Sequence, residues 1–268
     1  MENYYHGHQK IDIDDIRRSW FNYLNFDVLY GLTHRLSLRA DLGYYINKNE
    51  DYYKADWVQK TGHGPGDLEI SARYLAYKNH IRKLTVLPSM GIKLPIGVFD
   101  QEIDHVKLPI SLQPSSGSYK YLTSIYLTKG FKNQKFNLGG SGSFEYAQWI
   151  HSENFDYKYG NLLMFSLIFL YEITPHLTLG LETRNENRSK SLRDHDYVIQ
   201  STGYSLVYVI PHLSYSFFDN WVMSVNSEIP FFRYYSGIQL GNRTAFSARI
   251  SRSLDFIARK SKLVDSID

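Results

Sequence analysis

The chain has 268 residues, of which 43% are hydrophobic and 21% charged, and a formal net charge of +3. This balance excludes a strongly basic surface for nucleic acid, and the absence of cysteine excludes disulfide frameworks, thiolate metal sites and a cysteine nucleophile. The mean hydropathy of −0.37 excludes a helical membrane protein, because the longest apolar run, Leu162 to Tyr171, is about half the roughly 20 residues that a spanning helix needs.

The N-terminal part of the chain is polar and carries no apolar core of a secretory signal peptide. Residues 1–15 are predicted to be an outer loop or a poorly formed first strand. Alternation of apolar and polar residues begins at Phe21 to Gly31 and becomes strict at Arg35 to Asn47. A period of two residues predicts β-strands with one apolar and one polar face.

The same alternation returns along the rest of the chain. Nine further strands are predicted: Asp67 to Tyr77, Leu84 to Ile96, Tyr119 to Gly130, Phe136 to Trp149, Asn161 to Ile173, Leu177 to Asn185, Tyr204 to Phe217, Trp221 to Ile229 and Arg243 to Phe256. Short turns and long polar loops alternate between them, for example the long segments Lys48 to Gly66 and Pro230 to Asn242. This sorting predicts an all-β, up-and-down transmembrane antiparallel β-barrel, whereas a soluble Greek-key sandwich has no reason for it.

Eleven strands are clear in the sequence, and bacterial single-chain barrels have even strand numbers. We therefore predict about 12 strands, with the first one absent or truncated. No Pro/Ser-rich linker divides the chain, so residues 1–268 are predicted to form a single outer-membrane domain. Residues 257–268 are predicted to be a polar C-terminal tail.

Charged side chains lie on the strand faces opposite the apolar ones, in similar numbers of both signs. They are Arg35, Arg39, Asp41, Asp67, Glu69, Arg73, Lys93, Glu145, Glu172, Glu182, Arg184, His212, Glu228 and Arg249. Small residues such as Gly43, Ser71 and Gly139 share these faces. We predict that this face lines a narrow, salt-bridged lumen, because alternate residues of a membrane barrel face lipid and lumen. The alternative is the outer surface of a soluble sandwich.

Aromatic residues are abundant, with 23 Tyr and 15 Phe, a composition typical of carbohydrate binders and of outer-membrane barrels. Those near the predicted strand ends, such as Trp20, Trp149 and Trp221, are interpreted as anchors at the membrane interfaces. Stacking on sugars is the alternative.

A series of motifs resembles one family. In order they are YGLTHRLSL (Tyr30 to Leu38), GHGPGDLEISARYLAY (Gly62 to Tyr77), GIKLPIG (Gly91 to Gly97), LQPSSGSYKY (Leu112 to Tyr121), TPHLTLGLE (Thr174 to Glu182) and VIPHLSYSF (Val209 to Phe217). The order resembles the outer-membrane transporter family described as meta-pathway phenol-degradation proteins, over about residues 20–256. The resemblance implies a β-barrel and a porin-like role for small aromatic or hydrophobic compounds. The GHGPGD, KLPIG and QPSSGS stretches are interpreted as loop geometry.

Histidines collect in the predicted outer loops. His6, His8, His63 and His105 are weak candidates for metal ligands, and His151 and His195 lie in similar loops. Their wide separation in sequence argues against a built site, so no metal and no cofactor is predicted.

A lipid hydrolase is a further class to weigh, because His212 lies near Ser214 on one predicted strand. A nucleophile needs a base within hydrogen-bond reach and a third group that orients it, and no G-x-S-x-G motif is present. The protein is therefore predicted not to be an enzyme.

The leading prediction is a porin-like channel in a bacterial outer membrane that passes a small solute, with no nucleic-acid partner. Its contacts would be outer-membrane lipid and lipopolysaccharide, and the oligomeric state stays open. The first alternative is a non-conducting accessory barrel whose outer loops bind a metal or a protein partner. The second is the outer-membrane lipid hydrolase.

Overall fold

In a computed structural model, the protein consists of β-strands and connecting turns. The structure describes residues 3–13, 16–52, 59–131, 135–151, 156–194, 196–218 and 220–254, so His195 and the predicted tail at 257–268 lie outside the described residues. No helix in these ranges is long and apolar enough to cross a membrane.

The described residues form twenty strands. In chain order they are β1 (Tyr4–Gly7), β2 (Gln9–Ile11), β3 (Ile16–Gly31), β4 (Leu36–Tyr52), β5 (Gln59–Tyr74), β6 (Tyr77–Asn79), β7 (Leu84–Leu94), β8 (Glu102–Ile103), β9 (Val106–Lys107), β10 (Lys120–Gly130), β11 (Phe136–Ala147), β12 (Ile150–His151), β13 (Asp156–Lys158), β14 (Leu162–Thr174), β15 (Leu177–Arg188), β16 (Leu192–Arg193), β17 (Tyr197–Val198), β18 (Tyr204–Phe217), β19 (Trp221–Leu240) and β20 (Ala245–Arg252).

The long strands follow one another in a single antiparallel meander. Their spatial order is β3, β4, β5, β7, β10, β11, β14, β15, β18, β19 and β20, which is also their order in sequence. Each corresponds to one of the eleven predicted strands, so the up-and-down topology is confirmed. The short strands β8/β9 and β12/β13/β16/β17 form two small separate sheets in the connections.

The apolar face of the meander points outward. On β3, Phe26 and Val28 are 63% and 64% exposed, and on β14 Leu167 is 62% exposed. The opposite face is more enclosed, since the Asp27 side chain is 14% exposed and that of Glu145 is 5% exposed. A soluble sandwich would press the apolar stripes together, so that alternative is wrong for this chain.

The two edges of the meander meet. No backbone pairing joins β3 to β20 among the described residues. However, Nη2 of Arg249 on β20 lies 3.3 Å from Oδ1 of Asp27 on β3. An ion pair between the last and the first long strands requires the sheet to curl round on itself.

The N-terminal residues form a hairpin on the same edge as β20. β1 pairs with β2 and with residues 235–240 of β19, whereas β20 pairs with residues 221–228 of β19. Residues 4–11 therefore extend the edge of the sheet next to β20.

Several segments that the alternation assigned to loops are strand. β4 runs to Tyr52, β5 begins at Gln59, and β19 continues to Leu240. The predicted loops at Lys48 to Gly66 and Pro230 to Asn242 are therefore wrong over most of their length. Strand extensions that pass beyond a lipid-facing zone need no apolar face, so they lack the alternation from which strands were predicted.

Candidate functional site

Side chains of alternating charge follow one another across the inner face of the sheet, in a row that we name the charge ladder. In spatial order its members are Arg249 on β20, Asp27 on β3, Arg39 on β4, Glu69 on β5, Lys93 on β7, Glu145 on β11 and Arg188 on β15. Each member lies within ion-pair distance of the next. Because every member comes from a different strand, the ladder exists only in the folded sheet.

Arg39 is the branching point of the ladder. Its guanidinium contacts Asp27, lies 2.8 Å from Oδ2 of Asp41, and lies 3.5 Å from Oε1 of Glu69. The planar guanidinium presents five donors, so one arginine can serve several carboxylates at once. Three strands are therefore connected through this one side chain.

Glu145 is the most enclosed member. Its carboxylate accepts a 2.8 Å hydrogen bond from Nζ of Lys93 and lies 3.6 Å from Nη2 of Arg188. These contacts reach across β10 on one side and β14 on the other. A buried charge without a partner costs several kcal/mol, so two cations on this carboxylate are what its burial requires.

Two smaller polar clusters lie farther round the same face. In the first, Arg184 lies 2.8 Å from Glu186 and 2.7 Å from Glu228. In the second, Oε1 of Glu182 accepts a 2.8 Å hydrogen bond from Ser166, and its Oε2 lies 3.1 Å from Nε2 of His212. Both clusters use residues that the sequence placed on the charged face.

Most of the fourteen side chains predicted to line the lumen take part in ion pairs on this face. The eleven that do so are Arg39, Asp41, Asp67, Glu69, Lys93, Glu145, Glu182, Arg184, His212, Glu228 and Arg249. Three others join no ion pair within the described part of the chain. Arg73 lies on the same face of β5, Glu172 lies near the end of β14, and Arg35 is exposed in the turn before β4. The structure therefore places Arg35 outside the enclosed face.

Residues 108–118, which we name the inward segment, connect β9 to β10 and fold against the inner face of β4 and β5. Leu112, Gln113, Ser115 and Ser118 in this segment are all buried. Such burial is unusual for a connection, because loop backbone needs partners for its polar groups. The inward segment finds those partners in side chains of the barrel wall.

Asp67 on β5 is the main attachment of the inward segment. Its Oδ1 accepts hydrogen bonds from Ser115 Oγ at 2.7 Å and from the Ser116 backbone N–H at 2.9 Å. Its Oδ2 accepts a further hydrogen bond from Ser116 Oγ. Lys120 lies 3.8 Å from the same carboxylate.

Two further side chains hold the backbone of the inward segment. Nζ of Lys48 donates a 2.9 Å hydrogen bond to the carbonyl of Gln113, and the Tyr159 hydroxyl donates one of 3.1 Å to the carbonyl of Ser116. Tyr159 lies in the connection before β14, outside the long strands, and burial raises the pKa of its phenol. The phenol therefore remains a hydrogen-bond donor above its ordinary titration range.

Glycines allow the close approach of this segment to the wall. A Cβ on Gly62 would lie 1.9 Å from the Leu112 carbonyl oxygen, and a Cβ on Gly97 would lie 1.9 Å from the Pro65 carbonyl oxygen. Only a residue without Cβ fits at either position. The GHGPGD, KLPIG and QPSSGS stretches thus meet at one place, where the sequence indicated only separate loops.

A cavity of about 410 Å³, which we name the lumen cavity, lies between the inward segment and the wall. Its lining includes Tyr23, Asp41, Tyr45, Lys48, Asp67, Glu69, Lys93, Lys120 and Tyr159, together with residues of the inward segment. Cavities of this size accept small molecules. Carboxylates, ammonium groups and phenol rings all face it.

An apolar cluster fills another part of the interior. Leu206, Tyr208 and Ile210 on β18 and Tyr235 on β19 are all buried, and Tyr5 packs against them. The sequence predicted charged and small residues for the inner face and did not predict this cluster. Both faces of β18 are apolar near Leu206, so on this strand only His212, farther along, indicated which face turns inward.

The candidate histidine ligands are scattered. The His8 ring contacts the rings of Phe232 and Tyr234, and its centroid lies 5.0 Å from each of theirs. Its Nδ1 lies 2.7 Å from the Arg233 carbonyl oxygen. The positions of the other candidates are separate: His6 is in β1, His63 is in β5, and His105 is in the β8–β9 turn. No group of three or more His, Asp and Glu side chains able to hold a metal occurs within the described ranges.

Among the described residues, the His212 imidazole contacts the Glu182 carboxylate rather than Ser214, the serine considered from the sequence. Glu182 lies between Ser166 and His212 and contacts both. A nucleophilic serine needs the imidazole next to it, with the carboxylate on the far side of the ring. In the order Ser–Glu–His the carboxylate, not the imidazole, lies next to Ser166, and the three side chains form a polar cluster on the enclosed face.

The sequence reasoning did not predict several residues of this face as site residues, among them Asp27, Lys48, Lys120, Tyr159, Ser166, Glu186 and Arg188. Asp27 lies on the polar face of a predicted strand and could have been found from the alternation. Lys120 is the first residue of β10, Lys48 and Arg188 lie in extensions beyond the predicted strands, and Tyr159 lies in a connection, where alternation carries no signal.

No protein-family model matches this chain, and no curated protein matches it. Among solved structures, it is similar to the COG4313 outer membrane channel from Pseudomonas putida F1, with a TM-score of 0.69 and 13% identity over 93% of this chain and 88% of that one. At this identity the likeness shows the fold, which is the antiparallel β-barrel fold of an outer-membrane protein. It agrees with the outer-membrane part of the family resemblance and does not extend to phenol degradation.

Proposed function

We propose that this protein is a channel in the outer membrane of a Gram-negative bacterium and that it passes a small solute through a narrow, charged lumen. The observation that carries the proposal is the charge ladder on the enclosed face of a meander whose other face is apolar and exposed. Exposed apolar stripes of this kind need lipid, and paired charges need a wet interior. The solved barrel of similar fold is itself named an outer membrane channel.

The lumen charges would set selectivity and take no part in bond-making. Both signs occur and are paired along the charge ladder, so the field inside is weaker than the number of charges suggests. The outward face would contact outer-membrane lipid and lipopolysaccharide, and no feature of the chain suggests a nucleic-acid partner. Oligomeric state is not part of the proposal.

Conductance of the purified full chain in planar bilayers tests this proposal. We expect discrete current steps in KCl, and none from protein that has been heat-denatured before addition. Folding of the sample is checked independently by the β-sheet signature in circular dichroism. Folded protein that inserts without any current steps would overturn the channel proposal.

The runner-up is a shut accessory barrel, and one observation favours it: side chains of both the inward segment and the apolar cluster are buried inside the sheet. Such a barrel would insert into the bilayer without conducting current. It would also conduct none when the hydrogen bonds that attach the inward segment to Asp67 are weakened. The same bilayer measurement therefore separates the two functions.

A further inference from the structure

We propose that the lumen cavity is a binding site for a small aromatic carboxylate, held at its carboxylate by Lys48 and at its ring by the surrounding tyrosines. This inference rests on the proposed function, because it names the class of solute for the same lumen. It follows from an imbalance among the charged groups of the cavity: its carboxylates already have charged or hydrogen-bonding partners within the protein, whereas two of its three ammonium groups, those of Lys48 and Lys120, have weaker anionic partners or none.

The acidic side chains of the cavity have their partners within the protein. Asp67 accepts three hydrogen bonds from Ser115 and Ser116. Asp41 accepts a 2.8 Å hydrogen bond from Arg39 and one of 3.0 Å from Asn25. Both carboxylates are therefore already engaged by donors of the protein itself.

Glu69 is in the same condition. It lies between Nη1 of Arg39 at 3.5 Å and Nζ of Lys93 at 3.8 Å. With a cation on either side, its charge is compensated along the charge ladder. A positively charged solute would have to displace these contacts to gain any of its own.

Lys93 is paired with Glu145 and Glu69, but the other two lysines of the cavity, Lys48 and Lys120, are less well compensated. Nζ of Lys48 contacts the Gln113 carbonyl at 2.9 Å and lies 4.8 Å from the Tyr45 ring centroid, and no carboxylate of the described residues forms an ion pair with it. An ammonium group has three donors, so donor capacity remains. Lys120 is 3.8 Å from a carboxylate that Ser115 and Ser116 already occupy. A carboxylate ligand supplies the anionic partner that Lys48 lacks and a closer one than Asp67 for Lys120.

The rings of the cavity indicate an aromatic rather than an aliphatic anion. The rings of Tyr23 and Tyr45 lie 4.8 Å apart at an interplanar angle of 52°, and Tyr159 lies under Nζ of Lys120 at 4.9 Å. Offset or tilted ring pairs are favourable aromatic geometries, and a third ring can join them. A volume of about 410 Å³ accommodates a one-ring solute.

The test is calorimetric binding of benzoate to the detergent-solubilised full chain, compared with benzyl alcohol and acetate. Benzyl alcohol keeps the ring without the charge, and acetate keeps the charge without the ring. We expect benzoate to bind about tenfold or more tightly than either, because a hydrogen bond to a charged group contributes about that factor. Equal binding of benzoate and benzyl alcohol would overturn the proposal.

Variants assign the site. Lys48→Gln and Lys120→Gln are each expected to weaken benzoate binding, and Lys48→Arg, which keeps the charge, to retain it. The matched control is Lys158→Gln, because Lys158 also sits on an aromatic ring, 4.3 Å from the Tyr146 centroid, but does not line the lumen cavity. If Lys158→Gln lowered the affinity for benzoate as much as Lys48→Gln does, the assignment of the site to Lys48 would be refuted.

The two proposals fail separately. Tight benzoate binding by a barrel that conducts no current would support the proposed binding site and contradict the proposed channel function. Current steps from a protein that binds benzoate no more tightly than benzyl alcohol would support the proposed channel function and contradict the proposed binding site.

Discussion

Arg249 on β20 forms an ion pair with Asp27 on β3, with 3.3 Å between Nη2 and Oδ1, and thereby joins the last long strand to the first. Asp27 also contacts Arg39, while the Arg249 side chain is 62% exposed. The contact is therefore structurally informative because it shows that the edges of the sheet meet, although its exposure limits its energetic contribution.

Removing each partner should have unequal effects on stability. Arg249→Gln is expected to lower the free energy of unfolding by about 0–1 kcal/mol, as exposed pairs do. Asp27→Asn should cost more, because it takes an anion from both Arg249 and Arg39. Urea unfolding in detergent micelles, followed by tryptophan fluorescence, measures both. A larger decrease in the free energy of unfolding for Arg249→Gln than for Asp27→Asn would contradict this expectation.

Arg39→Gln should make the proposed channel more cation-selective. Asp27, Asp41 and Glu69 would lose the guanidinium that they share, and the lumen would gain net negative charge. Breaking an enclosed pair also costs about 3 kcal/mol or more in stability. The reversal potential across a KCl gradient reports the selectivity.

Arg35→Gln is the matched control for that variant. Arg35 carries the same charge four residues earlier but is exposed in the turn before β4. We expect its reversal potential to equal that of the unmodified protein. An equal shift in both variants would show that selectivity follows total charge rather than the lumen contact.

Gly62→Ala should displace the inward segment without changing any charge. The added Cβ would meet the Leu112 carbonyl oxygen at 1.9 Å, so the backbone of one element must move. Hydrogen exchange measured by mass spectrometry should become faster over residues 112–116, because exchange reports local opening. Gly31→Ala is the control, since nothing lies within 4 Å of its added Cβ. Unchanged exchange in Gly62→Ala would contradict the packing described here.

The alternation in the sequence was sufficient to predict the eleven long strands and the face that turns inward. Lipid on one side and paired charges on the other impose a period of two residues, as at Asp67 and Glu69. The strand β18 was predicted with its observed bounds, Tyr204–Phe217. Where one side of a strand meets lipid, the local sequence contains the information.

The contacts of the inward segment could not be predicted in the same way. Asp67 and Ser116 are far apart in sequence, and their meeting depends on how the connection between β9 and β10 folds back. The motifs around Gly62, Gly97 and Leu112 stood out because glycine and proline are conspicuous, but close approach in space leaves no periodic signal. Lys48 and Lys120 were missed for the same reason.

Asp67→Asn should loosen the attachment of the inward segment and raise the single-channel conductance. The amide retains one acceptor oxygen, but its nitrogen cannot accept the hydrogen bond from Ser116 Oγ, and Lys120 loses its nearby anion. A hydrogen bond to a charged group contributes about 1.5–3 kcal/mol, so the balance between the attached and released states should shift by about tenfold or more. Larger or more frequent open steps are the expected result.

Glu69→Gln provides the comparison for Asp67→Asn. Glu69 lies two residues farther along β5 on the same face, and its ion pairs are with Arg39 and Lys93 rather than with the inward segment. Removing the Glu69 charge should change ion selectivity. It should leave the single-channel conductance unchanged, because the hydrogen bonds from Ser115 and Ser116 to Asp67 remain. If Glu69→Gln raised the conductance as much as Asp67→Asn, lumen charge alone would explain the effect. A specific effect of Asp67→Asn would instead locate the constriction at the inward segment.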